Sequence, residues 1–133
     1  WRRTAGWMNV NGTQKVKLTR GTKDGSTVSD YNTDGNGYKT VSGATPSGSS
    51  GGYINSMKTE GFGRIPVTAS GSSSTFEADG LWYNNSGTMY AFVGGSWASG
   101  LVVGPFCANL HATASNSGSS YGAALSCKPL AAA

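Results

Sequence analysis

Few residues in this chain have chemistry to offer, and their spacing works against joint action. His111 is the single histidine, so it would have to be the base of any Ser-His-Asp arrangement. Gly48-Ser49-Ser50-Gly51-Gly52 formally matches the G-x-S-x-G nucleophile signature. No hydrophobic strand precedes it to launch a nucleophile elbow, and the match lies inside a Ser/Gly-rich run. Glu77 and Asp79 form the closest acid pair. Such a pair ligates calcium or serves glycoside hydrolysis, but Asp79-Gly80 also reads simply as a turn. Cys107 and Cys127 lie far apart in the chain with no CxxC, and with one histidine a structural zinc site lacks ligands. Two free thiols are expected. No catalytic residue, metal or cofactor is expected.

The elements that would position these groups are short. Gly, Ser, Thr and Asn together fill 62 of the 133 positions, and charged residues make up only 12%. Long helices need far more Ala, Leu, Glu, Lys and Arg, so they are excluded. The length allows one domain, 1–130. Ala131-Ala132-Ala133 reads as vector-derived, and the start at Trp1 reads as a cut chain. No apolar run reaches membrane-spanning length, so no membrane insertion is expected.

Turn dipeptides punctuate the chain at Asn11-Gly12, Asp24-Gly25, Asp34-Gly35, Asn36-Gly37 and Asp79-Gly80. Lys15-Val16-Lys17-Leu18-Thr19-Arg20 alternates as a strand does, and Ile65-Pro66-Val67-Thr68 is extended by its proline. Residues 41–52 read as an exposed loop. Tyr53 to Lys58 fits either a helical turn or two, or a strand. Gly80 to Val93 reads as a hairpin turning at Asn84-Asn85-Ser86-Gly87, and Gly122 to Cys127 as a final buried strand.

The net charge is +4, with six of the ten Lys/Arg in the first quarter. The aromatic-rich half is almost free of basic residues, so no nucleic-acid partner is expected. Residues 80 to 127 contain no Asp, Glu, Lys or Arg, yet hold seven aromatics. Gly, Ser, Asn and Thr are too frequent there for a wholly buried sheet, because buried hydroxyls and amides need partners. The alternative is irregular backbone displaying a neutral, aromatic-flanked surface, which binds by shape, stacking and hydrogen bonds.

From Val93 onward the chain reads VGGSWASGLVVGPFCANLHATASNSGSSYGAALSCKPL. This segment resembles the C-terminal variable region of proteins diversified by diversity-generating retroelements. The matching frame is Gly94, Gly95, Trp97, Gly100, Gly104, Phe106, Asn109, Leu110, Ser115-Asn116-Ser117 and Gly122-Ala123-Ala124-Leu125-Ser126. The stretches 68–75 and 79–87 resemble gut-phage members. The resemblance implies an α+β, C-type lectin-like fold with short strands, few helices and much irregular loop. It implies a non-enzymatic ligand- or receptor-binding display domain with a variable region over 97–127. The variable, ligand-binding positions would be Ala98, Ser99, Leu101, Val102, Val103, Cys107, His111, Ala112, Thr113, Gly118, Ser119, Ser120 and Tyr121. Gly94, Gly95, Trp97, Gly100, Gly104, Phe106, Asn109 and Gly122 would be scaffold, with Trp97, Phe106 and Leu125 anchoring the core. The partner would be a host-cell surface protein or glycan. The setting would be a phage tail tip, where relatives are often homotrimers, or a bacterial cell surface.

Retroelement mutagenesis turns AAY codons into NNY, which cannot encode Trp, Met, Lys, Gln or Glu. Those five types fill 16 of 133 positions overall and none of the 27 from Ala98 to Ala124. A structural tail-fibre or pilus adhesin module, and an enzyme related to the formylglycine-generating kind, are the competing readings. The calcium-binding triplets and disulfides of animal C-type lectins are absent, so calcium-dependent sugar binding does not carry over.

Overall fold

The structure, a computed structural model, describes residues 1–17, 34–43, 50–60 and 63–122. Strands dominate them. They are β1 (Arg2–Val10), β2 (Thr13–Val16), β3 (Lys39–Thr40), β4 (Ser50–Tyr53), β5 (Ser56–Glu60), β6 (Gly63–Thr68), β7 (Gly80–Tyr83), β8 (Thr88–Val93) and β9 (Ala108–Ala112). Two short 3-10 segments, Phe76–Ala78 and Trp97–Val102, complete the regular elements among the described residues.

Seven strands form one sheet in the order β3-β2-β1-β8-β9-β7-β4, and β5 pairs with β6 in a second. Asn11 (φ 48°) and Gly12 (φ 84°) make the two-residue turn between β1 and β2, as the dipeptide requires. That turn locks to the next one: Asn11 N–H donates to Gly87 O at 2.8 Å, and Gly87 N–H donates to Asn11 Oδ1 at 2.9 Å. The Asp34-Gly35 and Asn36-Gly37 turns also form, with both glycines at positive φ. Leu18 to Arg20, the Asp24-Gly25 turn and the final strand beyond Gly122 lie outside the described residues.

Two expectations change. Ser50 to Tyr53 is a strand rather than loop, while of the two alternatives for Tyr53 to Lys58 the extended one forms. The sheet supplies the backbone partners that local sequence could not reveal: β4 pairs with β7, and β5 with β6. The second change matters more. Gly80 to Val93 does form two strands, but they are not a hairpin. β9 lies between them, parallel to β7 and antiparallel to β8. Both strands thus pair with the stretch that follows them in the chain.

The core lies on one face of the large sheet. Ile54, Leu81, Tyr83, Ala91, Ala108 and Leu110 form one buried cluster, and Val16, Val41, Ile65 and Val67 a second, with Trp7 packed against both. Gln14 is buried yet satisfied. Its Nε2 donates to Pro66 O at 3.0 Å, and its Oε1 accepts from Trp7 Nε1 at 2.9 Å.

Candidate functional site

The segment after β8 leaves the sheet through two glycines at positive φ, Gly94 (94°) and Gly95 (99°). Ser96 Oγ then caps the 3-10 turn by accepting from Ala98 N–H at 3.3 Å. Gly100, at φ 58° and ψ −140°, kinks that turn outward. On it, Trp97 is 89% exposed and Leu101 92%. Val102 and Val103 are half-buried, and Val103 sits so closely over Gly95 that a Cβ there would collide with it.

The return to the sheet is held by Asp79. This residue is fully buried, and its Oδ2 accepts from Phe106 N–H at 2.7 Å. Its Oδ1 has no hydrogen-bond partner and rests against Gly104, where a side chain would displace it. The expected Asp79-Gly80 turn does not form, since Asp79 is extended and Gly80 opens β7; the carboxylate instead ties the 76–80 stretch to the 104–107 loop. The local sequence, DG before an apolar strand, carries only the turn signal. Phe106 is partly buried and packs against the core cluster.

Along β9 the side chains alternate. Ala108 and Leu110 face the core, Asn109 is half-buried, and His111 is exposed; the register slips before Ala112, which is buried opposite Tyr90. Asn109 Oδ1 accepts from His111 N–H at 2.8 Å. Past β9 the chain turns at Thr113 to Asn116, where Asn116 Oδ1 accepts from Thr113 N–H at 2.9 Å. It then returns across the sheet. Arg3 Nη2 donates to Ala114 O at 2.9 Å, with its guanidinium over the rings of Phe92 (5.1 Å) and Tyr90 (5.8 Å). Tyr121 packs on Phe92 at 4.8 Å between centroids. The Trp1 nitrogen donates to Gly95 O (2.6 Å) and Ser120 O (2.7 Å), so the start of the first loop and the end of the second meet. A groove of about 390 Å³ runs beneath the returning loop, lined by Arg3, Phe92, Asn116 and Tyr121 among others.

The expected display positions divide accordingly. Ala98, Leu101, His111, Thr113, Gly118 and Ser119 are exposed; Ser99, Val102, Val103, Ser120 and Tyr121 are half-buried. Cys107 and Ala112 are corrected: both are buried, Cys107 in the Asp79-held loop just before β9, where its N–H donates to Gly104 O, and Ala112 at the end of β9 opposite Tyr90. Trp97 is corrected in the other direction. It does not anchor the core, because the capped, kinked turn holds it clear of the sheet. Leu125 lies outside the described residues.

Burial pushes the Cys107 thiol up to about 11, with the Asp79 carboxylate adding to the effect and hydrogen bonds to the Gly80 and Gly104 backbone opposing it. The folded thiol stays neutral where an unfolded one, near 9.0, ionises. Stability from this group is thus complete below pH 9 and falls as pH rises toward 11, by on the order of 2 kcal/mol. Two outcomes are expected in a Cys127→Ser background. Cys107 should react with iodoacetamide far more slowly than in urea. Cys107→Ala should flatten the fall in urea midpoint across that pH window.

Compared with models of protein families, with curated proteins and with solved structures, the chain matches none. What the fold defines is a small, strand-rich domain with few helices and long irregular connections around one large mixed sheet.

Proposed function

We propose that this is a non-enzymatic ligand-binding display domain of C-type lectin-like architecture, with 97–127 as its diversified segment. Its setting is a phage tail tip or bacterial surface, and its partner a host-cell surface protein or glycan. One observation carries the reading. The bonds that hold the backbone of this segment come mainly from residues outside the display set: Ser96, Asp79, Asn109, Asn116 and Arg3. A surface whose side chains are interchangeable needs a backbone that does not depend on them. Buried Cys107 and Ala112, and the packed Val103 and Tyr121, are the least interchangeable of the set.

The encoding locus tests the reading. It should hold a second copy of the 97–127 region that differs at adenines, beside a reverse transcriptase gene. Sister sequences that vary evenly along the chain would contradict it.

Stability gives a complementary prediction. Trp97→Ala and Leu101→Ser should each move the unfolding free energy by less than about 0.5 kcal/mol, because both side chains already stand in water. The same variants should lose partner binding. Chemical denaturation and a binding titration read the two effects separately.

A further inference from the structure

The strand register draws a line of side chains across the face of the large sheet opposite the Leu81–Leu110 core. Gly51 pairs with Trp82, Trp82 with Asn109, Asn109 with Phe92, and Phe92 with Arg3. Directly opposed residues point to the same side of a sheet. These five therefore share one face, and β4, β7, β9, β8 and β1 each contribute one.

The indole of Trp82 lies along the sheet. A Cβ built at either Gly51 or Gly80 would strike it, at opposite ends of the ring system. The two glycines form a bed for the ring, and the ring shields their backbone. Shielding explains the inward face of the indole. Its half-buried state leaves the rest toward solvent. Trp1 meets it nearly at right angles, 86° at 5.5 Å, and is itself half-buried. The two rings make an aromatic corner.

Beside this corner stands Asn109. Its Oδ1 is occupied by His111 N–H, while its Nδ2 hydrogens meet no acceptor among the described residues. The one charge in the line, Arg3, is already bound to a backbone carbonyl and stacked over two rings. No Lys, Arg, Asp or Glu occurs from Gly80 to Gly122.

We propose that this face is a binding site for a neutral saccharide. Sugar rings carry apolar C–H faces that pack flat against indole, and hydroxyls that both donate and accept. Trp82 and Trp1 supply the first contact, and the Asn109 amide the second. A single-stranded nucleic acid would also stack on such rings, but it needs cations that track its phosphates. This line lacks free ones. An anionic glycan meets the same objection. The inference does not depend on the display reading, since Trp1, Trp82 and Asn109 lie outside the display positions.

The test is titration of ¹⁵N-labelled protein, reading the indole N–H signals of the four tryptophans. The probes are hexamers of β-1,4-glucose, α-1,4-glucose, β-1,4-mannose, β-1,4-xylose and β-1,4-N-acetylglucosamine, with a thymidine decamer and a galacturonate hexamer as charged controls. At least one neutral hexamer should shift the Trp82 and Trp1 indoles saturably, with half-saturation in the range of about 0.1–5 mM. The Trp97 indole should stay still. Trp82→Leu should weaken binding at least tenfold. Should that variant fail to fold, Asn109→Ala carries the test, with a loss of about fivefold or more. The proposal is overturned if no neutral hexamer shifts Trp82, if a charged control shifts it as strongly, if the shifts fall on Trp97 instead, or if a folded variant binds as the parent does. Shifts at Trp97 alone would leave the display reading standing, so the two ideas fail separately.

Discussion

Gly104→Ala should destabilise the domain by about 3 kcal/mol. The new Cβ would overlap Asp79 Oδ1, which is fully buried and has no open space to enter. Moving the carboxylate breaks its bond to Phe106 N–H, leaving a half-buried donor and a displaced charge. Urea denaturation should show a lower midpoint with an unchanged slope. A double-mutant cycle sharpens the prediction. Asp79→Ala alone loses the Phe106 bond, but it also removes the atom that Gly104→Ala would strike. The double variant should therefore lose less than the sum of the singles, by about 1 kcal/mol or more. Strict additivity would show that Asp79 and Gly104 do not act as a unit.

Phe92→Ala is the second large effect, expected at about 3–4 kcal/mol. Phe92 is the largest of the fully buried side chains, although it points away from the Leu81–Leu110 core. It is buried because Tyr121 and Arg3 close over it. Removing the ring takes away the platform on which the returning loop rests. The loss should thus appear in two ways: a lower unfolding free energy, and faster amide exchange at Tyr121 and Gly122 than at Leu81 or Leu110. His111→Ala, on an exposed position of β9, should change neither by more than about 0.5 kcal/mol. The contrast separates side chains that hold the loop from side chains the loop presents.

The same contrast bears on the proposed display surface. Its tolerance for change depends on where each side chain sits, and three side chains stand elsewhere than the resemblance implies. Cys107 and Ala112 occupy positions that match variable sites, yet both pack inward. Trp97 matches a fixed site and stands in water. A constant, exposed tryptophan beside interchangeable neighbours would give every variant the same aromatic contact, with Leu101 and its neighbours setting the difference.

Several turns and some of the strands were legible in the sequence. Asn11, Gly12 and Gly35 adopt positive φ because few other residue types do so cheaply, and that preference acts within a few bonds. The alternation that marks the strands flanking Asn84-Asn85-Ser86-Gly87 is likewise a local property. The scarcity of helix formers excluded long helices for the same reason. Which strands pair is a different matter. The insertion of β9 between β7 and β8, the Asp79 carboxylate beneath Gly104, the indole bedded on Gly51 and Gly80, and the exposure of Trp97 all depend on residues distant in the chain. Local propensity fixes what a short segment can do at low cost. Only the packed sheet decides which face of it is left to water.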